Sequence, residues 1–207
     1  MKNSVLFSVL LFLSLGSELI AQHPSNARWG RYSGPNTLGF YSLEHDTSMK
    51  AFLEHFGAKP AGRDTYCFSD PEHGLYLYVR PMGDRSGRVA DVMLSLFPNC
   101  KGLPTTKTTI DPLVWKTPEG IGIGSTKEDL VRAYHEPVFI DKLDKKSDLG
   151  EIAGIRAAGT SQISVGDLSY LYSCLLSDKE GCTDDSRSAR IGFSQGKIIW
   201  IHVANSE

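Results

Sequence analysis

The sequence predicts an α+β fold of two tandem units, each a short helical segment packed on an antiparallel sheet. Two short amphipathic segments predict the helices, one that follows the stretch Asp46 to Ser48 and one after Ser125. Each is followed by segments in which apolar residues alternate, as is typical of half-buried strands. Two pairs of predicted strands share one pattern, GLYLYV followed by RVADVMLSLF and ARIGFS followed by KIIWIHVA. In each pair the second strand begins with a base. This similarity indicates internal duplication.

The second helix is the clearest local prediction and lies in the stretch Thr117 to Pro137. Ser125 is the expected N-cap, and Glu128 completes a capping box with it. Pro137 forbids continuation of the helix. Glycines 120, 122 and 124 precede the cap in the run GIGIG, but no buried strand comes before them, as a dinucleotide-binding loop requires. The glycines are therefore interpreted as a tight turn.

The first helix and the strands follow from the same kind of signal. Asp46, Thr47 and Ser48 are alternative N-caps, and Gly57 is the expected C-cap. The predicted strands are 65–68, 75–80, 89–97, 138–143, 168–176, 189–194 and 197–204. A tight hairpin at Gln195-Gly196 joins the last two strands.

The N-terminus predicts export. Lys2 supplies a positive start, Val5 to Leu15 is apolar, and Ala21 offers a cleavage point, so residues 1–21 are predicted to be a signal peptide. The apolar run is too short to span a bilayer. We expect a secreted or periplasmic protein after cleavage near Ala21.

The remaining chain divides into four parts. Residues 22–35 are an expected irregular leader, 36–100 the first unit, 101–111 a linker and 112–207 the second unit. The segment from Asp144 to Asp167 mixes charges, glycines and small residues, and a loop of that length is usually functional or mobile.

Charge excludes some partners. The formal net charge is −2, which lacks the basic character that nucleic-acid binding requires. No second long apolar run follows the signal, so we expect no membrane span in the mature chain.

The chain contains four cysteines, Cys67, Cys100, Cys174 and Cys182. An even number in an exported chain predicts disulfides. Three pairings are possible, and we favour Cys67–Cys100 and Cys174–Cys182 because each predicted unit then holds its own pair.

Catalytic and metal signals are weak. The serines lack a G-x-S-x-G elbow, and the cysteines and histidines lack zinc-ligand spacing. We therefore predict no catalytic residue, no metal and no cofactor, and expect that the protein is not an enzyme. A small hydrolase or ligand binder that uses a cleft between the units is the less favoured alternative.

Strand alternation assigns side chains to two faces of the sheet. The helix-facing set is predicted to be Leu75, Leu77, Val79, Val92, Leu94, Leu96, Ile191, Phe193, Ile199, Ile201 and Val203. The opposite face would carry the candidate binding residues Tyr76, Tyr78, Arg80, Tyr170, Tyr172, Arg190, Trp200 and His202, with Met93 and Phe97 beside them. Aromatic residues and arginine are typical of protein-binding hot spots. The alternative is that the leader, the long loop or a second copy covers this face.

One stretch resembles a known family. Gly122-Ile123-Gly124-Ser125-Thr126, a short helix and then Tyr134-His135-Glu136-Pro137 are similar to a module of beta-lactamase inhibitory protein and of SmpA/OmlA-type lipoproteins. His135 stands where that module usually has glycine, and no cysteine is placed to carry a lipid. The resemblance implies tandem helix-plus-sheet units, each with a disulfide, and protein binding through an aromatic-rich concave sheet.

Together these features predict an exported, non-enzymatic protein-binding module, which the resemblance suggests is inhibitory. The alternative is a cell-envelope structural or assembly factor whose aromatic face is covered or self-associated. An exposed face would favour the first function, and a buried face the second.

Overall fold

The computed structural model describes residues 34–45, 47–59, 65–83, 87–98, 103–137, 139–142, 166–173 and 187–205. The predicted signal peptide, nearly all of the leader and most of the long loop lie outside these ranges. So do Cys100, Cys174 and Cys182.

The described residues form two helices and ten strands. The helices are α1 (Met49–His55) and α2 (Lys127–Tyr134). The strands are β1 (Thr37–Leu38), β2 (Tyr41–Ser42), β3 (Tyr66–Asp70), β4 (Leu75–Pro81), β5 (Val89–Ser95), β6 (Thr105–Lys107), β7 (Phe139–Lys142), β8 (Leu168–Ser173), β9 (Arg187–Ser194) and β10 (Lys197–Asn205). All seven predicted strands are present, with ends that differ by a few residues, and the β1–β2 hairpin was not predicted.

Eight strands form one sheet in the order β6-β3-β4-β5-β10-β9-β8-β7. Every neighbouring pair is antiparallel except β3 and β6, which are parallel. The predicted α+β class is therefore confirmed. The final strand of each predicted unit, β5 and β10, lies at the centre of the sheet, where the two strands pair with each other.

Both helices pack on the same face of this sheet. Phe52 and Leu53 of α1 and Leu130 of α2 belong to one buried cluster that includes Leu77 and Ile201 from the strands. The predicted helix-facing residues join this cluster with two exceptions. Leu96 lies beyond the end of β5 and is 45% exposed.

The second exception is Ile199. Its neighbour Ile198 belongs to the buried cluster instead. A bulge between Ile198 and Trp200 adds one residue to β10 at this point. Because side chains alternate along a strand, an extra residue reverses the face of those before it. The prediction for Ile199 was wrong because the sequence pattern does not show the bulge.

The caps show which of the predicted alternatives the chain uses. Ser48 caps α1, and its Oγ accepts a hydrogen bond from the Ala51 amide at 3.4 Å. The cap of α2 is Thr126, and the capping box pairs it with Asp129. The prediction of Ser125 and Glu128 was therefore wrong by one residue. Ser125 Oγ instead accepts from the Gly122 amide at 3.1 Å, which closes the glycine-rich turn.

Positive φ angles account for several predicted turns. Gly57 follows α1 at φ +63°, and Gly120 and Gly124 have φ of +82° and +86°. His135, at the end of α2, has φ 63° and ψ −166°. That region of backbone conformation is essentially restricted to glycine, so the side chain at His135 is strained.

The two helices begin in the same hydrogen-bonded arrangement. Met49 donates its amide to the carbonyl of Gly87 at 2.7 Å, and Val89 donates to Thr47 at 2.9 Å. In the second helix, Lys127 donates to Gly196 at 3.3 Å and Ile198 donates to Ser125 at 2.9 Å. Each N-cap thus forms an isolated bridge with a base at the start of β5 or β10. Ser48 pairs with Arg88, which directly precedes β5, and Thr126 pairs with Lys197, the first residue of β10.

The predicted linker contains ordered structure. Thr105–Lys107 forms β6 at the sheet edge, and Ile110 is fully buried. The Ile110 amide donates to Asp70 Oδ2 at 2.7 Å. Trp115 then packs against Phe40, Phe52 and Phe56 beside α1. The connection is therefore part of the first half of the fold.

Candidate binding face of the sheet

The face of the sheet opposite the helices carries most of the predicted binding residues. Tyr78, Met93 and Trp200 are buried but do not belong to the helix-side cluster. The strand register places Tyr78, Met93, His202 and Arg190 side by side across four strands. We call the side chains of this face, from β3 to β9, the candidate face.

Two of the predicted residues lie on the wrong side. Tyr170 pairs with Ile191 and Tyr172 with Ala189, and all four belong to the helix-side cluster. Tyr172 contacts Tyr134 of α2 with ring centroids 6.2 Å apart. The prediction that Tyr170 and Tyr172 share the candidate face was therefore wrong. The register of β8 with β9 aligns Leu171, and not a tyrosine, with Arg190.

The middle of the candidate face is buried. Trp200 and Met93 are 0% exposed, Tyr78 is 3% exposed and His202 is 6% exposed. Burial raises the pKa of Tyr78, and the nearby Asp91 carboxylate raises it further. The open aromatic surface that the sequence predicted is therefore closed at its centre.

A glycine on the neighbouring strand makes room for the Trp200 side chain. Trp200 and Gly192 are directly opposite each other in the β9–β10 ladder. A Cβ atom on Gly192 would overlap Nε1 and Cε2 of the Trp200 indole. Only glycine therefore allows the indole to lie against the backbone of β9.

A charged cluster crosses the centre of the face. Arg80 Nε lies 2.5 Å from Asp91 Oδ2, and the Asp91 side chain is 3% exposed. His202 Nε2 lies 3.5 Å from Asp91 Oδ1 but makes no hydrogen bond to it. Because β5 carries Asp91 and β10 carries His202, the cluster joins the two halves of the sheet. A buried carboxylate of this kind requires its cationic partner.

Three predicted binding residues keep accessible surface. Tyr76, Arg80 and Arg190 are half-buried. Arg80 is 42% exposed although it pairs with Asp91. Tyrosine and arginine are residue types that dominate protein-binding hot spots. A partner can contact these three residues without rearrangement of the described residues.

A cavity lies on the helix side, at the start of α2. It has a volume of about 380 Å³ and is lined by Glu119, Gly120, Ile121, Ser125, Asp129, Arg132 and Ala133. Tyr134 donates its hydroxyl hydrogen bond to Glu119 nearby. Burial and this hydrogen bond together raise the pKa of Tyr134. Arg132 is engaged with Asp129 at 3.1 Å, so the cavity lacks a free cation among its lining residues.

A second buried carboxylate fixes the end of β3. Asp70 is 3% exposed and accepts hydrogen bonds from the amides of Ile110, Glu72 and His73. Burial alone would raise the pKa of Asp70, but these bonds and His73 Nδ1 at 2.8 Å lower it to about 2. The same hydrogen bond raises the pKa of His73.

Of the four cysteines, Cys67 is the one that lies within the described ranges. Cys67 is disulfide-bonded, but the other cysteines lie outside the described residues, so the pairing stays a prediction. Within the described ranges, no group of three or more His, Cys, Asp or Glu side chains could hold a metal ion. No helix in the described part of the chain is long and apolar enough to cross a membrane.

Comparison with known proteins gives no assignment. No family model matches the chain, and neither the curated proteins nor the solved structures contain a match. The resemblance to beta-lactamase inhibitory protein and SmpA/OmlA-type lipoproteins therefore stays a prediction.

Sequence reasoning missed the residues that organise the face. Asp91 sits inside the apolar stretch VADVML, and a charged residue at the centre of a strand was the signal that a buried ion pair exists. Gly192 sits inside ARIGFS, and an isolated glycine in a strand indicates close approach of another group.

Proposed function

We propose that this chain is an exported, non-enzymatic protein-binding module. The partner contacts the candidate face at Tyr76, Arg80 and Arg190. The observation that carries this proposal is the combination of half-exposed tyrosine and arginine side chains with buried neighbours on the same face. Preorganised side chains lose less conformational entropy on binding, which favours affinity.

The proposed contact surface is smaller than the set of eight residues that the sequence predicted. Tyr78, Trp200 and His202 lie beside the contact residues on the same face, but they are buried and do not reach a partner directly. Tyr170 and Tyr172 belong to the helix-side core and have no place in the contact surface. An inhibitory role, which the resemblance implies, would require the partner to be an enzyme.

The second candidate is a cell-envelope structural or assembly factor. The observation that favours it is the burial of Trp200 and Tyr78 within a single chain, since a covered face is what that function predicts. The two candidates differ in whether Tyr76 and Arg190 contact a separate protein.

We also propose that the chain is built from two tandem units in one continuous sheet. The equivalent positions of the hydrogen bonds from Met49 to Gly87 and from Lys127 to Gly196 support this architecture. Export after cleavage near Ala21 belongs to the same proposal. N-terminal sequencing of the protein recovered from the periplasm or culture fluid tests the cleavage point.

Affinity capture from the native envelope and culture fluid tests the binding function. The baits are the wild-type chain, a Tyr76→Ala/Arg190→Ala variant, and Arg132→Ala as a matched control on the helix side of the sheet. We expect a protein captured by the wild type and the control and lost with the double variant. Equal capture by all three baits, or no capture by any, would remove the candidate face as a binding surface.

A further inference from the structure

The strand pair β5–β10 is the seam between the two halves of the described sheet. On the helix side, Val92 faces Val203 and Leu94 faces Ile201. On the candidate face, Asp91 faces Ala204, Met93 faces His202 and Ser95 faces Trp200. Among the described strands this pair joins the group β3–β4–β5 to the group β10–β9–β8.

Equivalent residues of the two halves meet symmetrically at this seam. Gly87 and Gly196 occupy the same hydrogen-bonded position before β5 and β10. The β4–β5 ladder passes from the pair Pro81–Val89 to Arg80–Asp91, so it skips Ala90. The β9–β10 ladder skips Ile199 in the same way. Ala90 and Ile199 lie equally far along the chain from the two turn glycines.

This alignment makes Met93 the equivalent of His202. These two residues face each other, and they form the middle pair of the β5–β10 ladder. A two-fold axis through this pair therefore exchanges the two halves of the seam. An antiparallel ladder centred on equivalent residues is the isologous arrangement found in symmetric dimers.

We propose that the seam is self-complementary and that it fits a second copy of this chain. Two copies would pair either by exchange, with β5 of one copy against β10 of the other, or by like strands, with β5 against β5. In the second arrangement Val92 faces Leu94 of the second copy, so the helix-side contact stays apolar. Asp91 faces Ser95 of the second copy, so like charges do not meet.

The connection between the halves is rich in glycine. Gly120 and Gly124 both have positive φ, and Gly122 stands between them. Glycines accept a change of backbone direction that other residues resist. Hydrogen bonds within each half, such as Met49 to Gly87 and Lys127 to Gly196, would be kept in an exchanged dimer.

Concentration decides which form the chain adopts. Halves joined by a short connection meet at an effective concentration of about millimolar, so a single chain closes its own seam in dilute solution. A second copy competes when folding takes place at high protein concentration. This inference rests on the register of the seam and does not depend on the proposed binding function.

The experiment uses the full-length mature chain with cysteines placed at the centre of the seam. A Met93→Cys/His202→Cys variant and a Met93→Cys variant are refolded from denaturant at about 1 μM and about 100 μM, the range in which association competes with folding. Oxidised products are separated by non-reducing electrophoresis. The wild type, which has the same native cysteines, is treated in parallel as the control.

We expect covalent dimers above the wild-type level, with a share that rises at least several-fold between the two concentrations. Dimers linked through the introduced cysteines are identified by peptide mapping, since an introduced thiol can also pair with a native cysteine. Such links in the double variant report either arrangement, and in the single variant they report β5 against β5. If a variant fails to fold, light scattering of the unmodified wild type, refolded at high concentration, measures the dimer mass directly. A single-chain mass for the wild type, together with no excess dimer from either variant, would overturn the proposal.

Discussion

The indole ring of Trp200 lies directly against the backbone of Gly192 on the neighbouring strand. This contact lets a large aromatic residue be fully buried on the face of the sheet opposite the helices. It also places the indole over the backbone of β9, so Trp200 does not project outward from the sheet.

Gly192→Ala should destabilise the protein through this contact. The new methyl group overlaps the indole, which must move within a packed region, and overpacking of this kind costs about 1–3 kcal/mol. The measurement is the free energy of unfolding from denaturant titration. Gly122→Ala is the control, because its Cβ would meet the Lys116 side chain at 2.7 Å and not a buried ring. Equal losses for the two variants would contradict the account.

His135→Gly should stabilise the protein. The φ of 63° and ψ of −166° at this residue are strained for a side chain, and glycine relieves a strain of about 1–3 kcal/mol. Part of the gain is offset by the greater freedom of glycine in the unfolded chain, so a net gain of about 1 kcal/mol is expected. Thermal and denaturant unfolding measure it. His135→Ala retains the Cβ atom and should give no such gain, so an equal gain from alanine would refute the strain argument.

Asp70 should make stability depend on pH in the acid range. Its pKa in the folded protein is about 2, whereas an unfolded chain has an aspartate pKa of about 3.9. The unfolded state therefore binds the proton more readily, so the contribution of Asp70 is complete above about pH 4 and is lost as the pH falls towards 2. Asp70→Asn should remove this dependence and destabilise the protein by about 1–3 kcal/mol at neutral pH.

The pair of Asp70 with His73 has the opposite dependence. The pKa of His73 is raised by its hydrogen bond to Asp70. Its contribution to stability is therefore complete below the ordinary histidine pKa of about 6.5 and is lost as the pH rises through the raised value. Unfolding curves of the wild type and of His73→Gln should differ at pH 5 and converge at alkaline pH. A constant difference across that range would show that the side chain acts without its charge.

Arg80 and Asp91 should show strong coupling in a double-mutant cycle. Arg80→Met leaves the buried Asp91 carboxylate without its cation, and we expect a loss of about 2–3 kcal/mol, less than for a fully buried pair because Arg80 is partly exposed. Adding Asp91→Asn should recover part of this loss, because the unpaired charge is removed. If the two single losses in the free energy of unfolding add up to the loss of the double variant, coupling between Arg80 and Asp91 is excluded.

Local signals in the sequence predicted the elements well. The apolar stripe of Phe52 and Leu53 and the proline after the second helix indicated both helices, because periodicity and backbone restriction act over a few residues. The Gln195-Gly196 hairpin was predicted for the same reason, and both residues have positive φ. The predicted N-cap of α2 was wrong by one residue. Ser125 and Thr126 are both acceptable caps, and the hydrogen bond of Ser125 with Gly122 decides between them.

Long-range register could not be predicted in the same way. The positions of Tyr170 and Tyr172 depend on how β8 aligns with β9, and a shift of one residue reverses every side chain. The bulge at Ile199 lies in the β9–β10 ladder, and it becomes visible only when the two strands are paired. The ion pair of Arg80 with Asp91 requires β4 and β5 to be aligned, so the charged centre of the candidate face was not visible before the sheet was assembled.

The central claim is that the middle of the candidate face is buried and that a partner contacts its half-exposed residues, Tyr76, Arg80 and Arg190 among them. Methionine oxidation by hydrogen peroxide, read by mass spectrometry of the folded protein, tests it most directly. Met93 is 0% exposed at the centre of the face, whereas Met82 after β4 is half-buried. The account predicts that Met82 is oxidised while Met93 stays protected until the protein unfolds. Oxidation of both at the same rate would contradict it, and would return Tyr78 and Trp200 to the accessible binding surface.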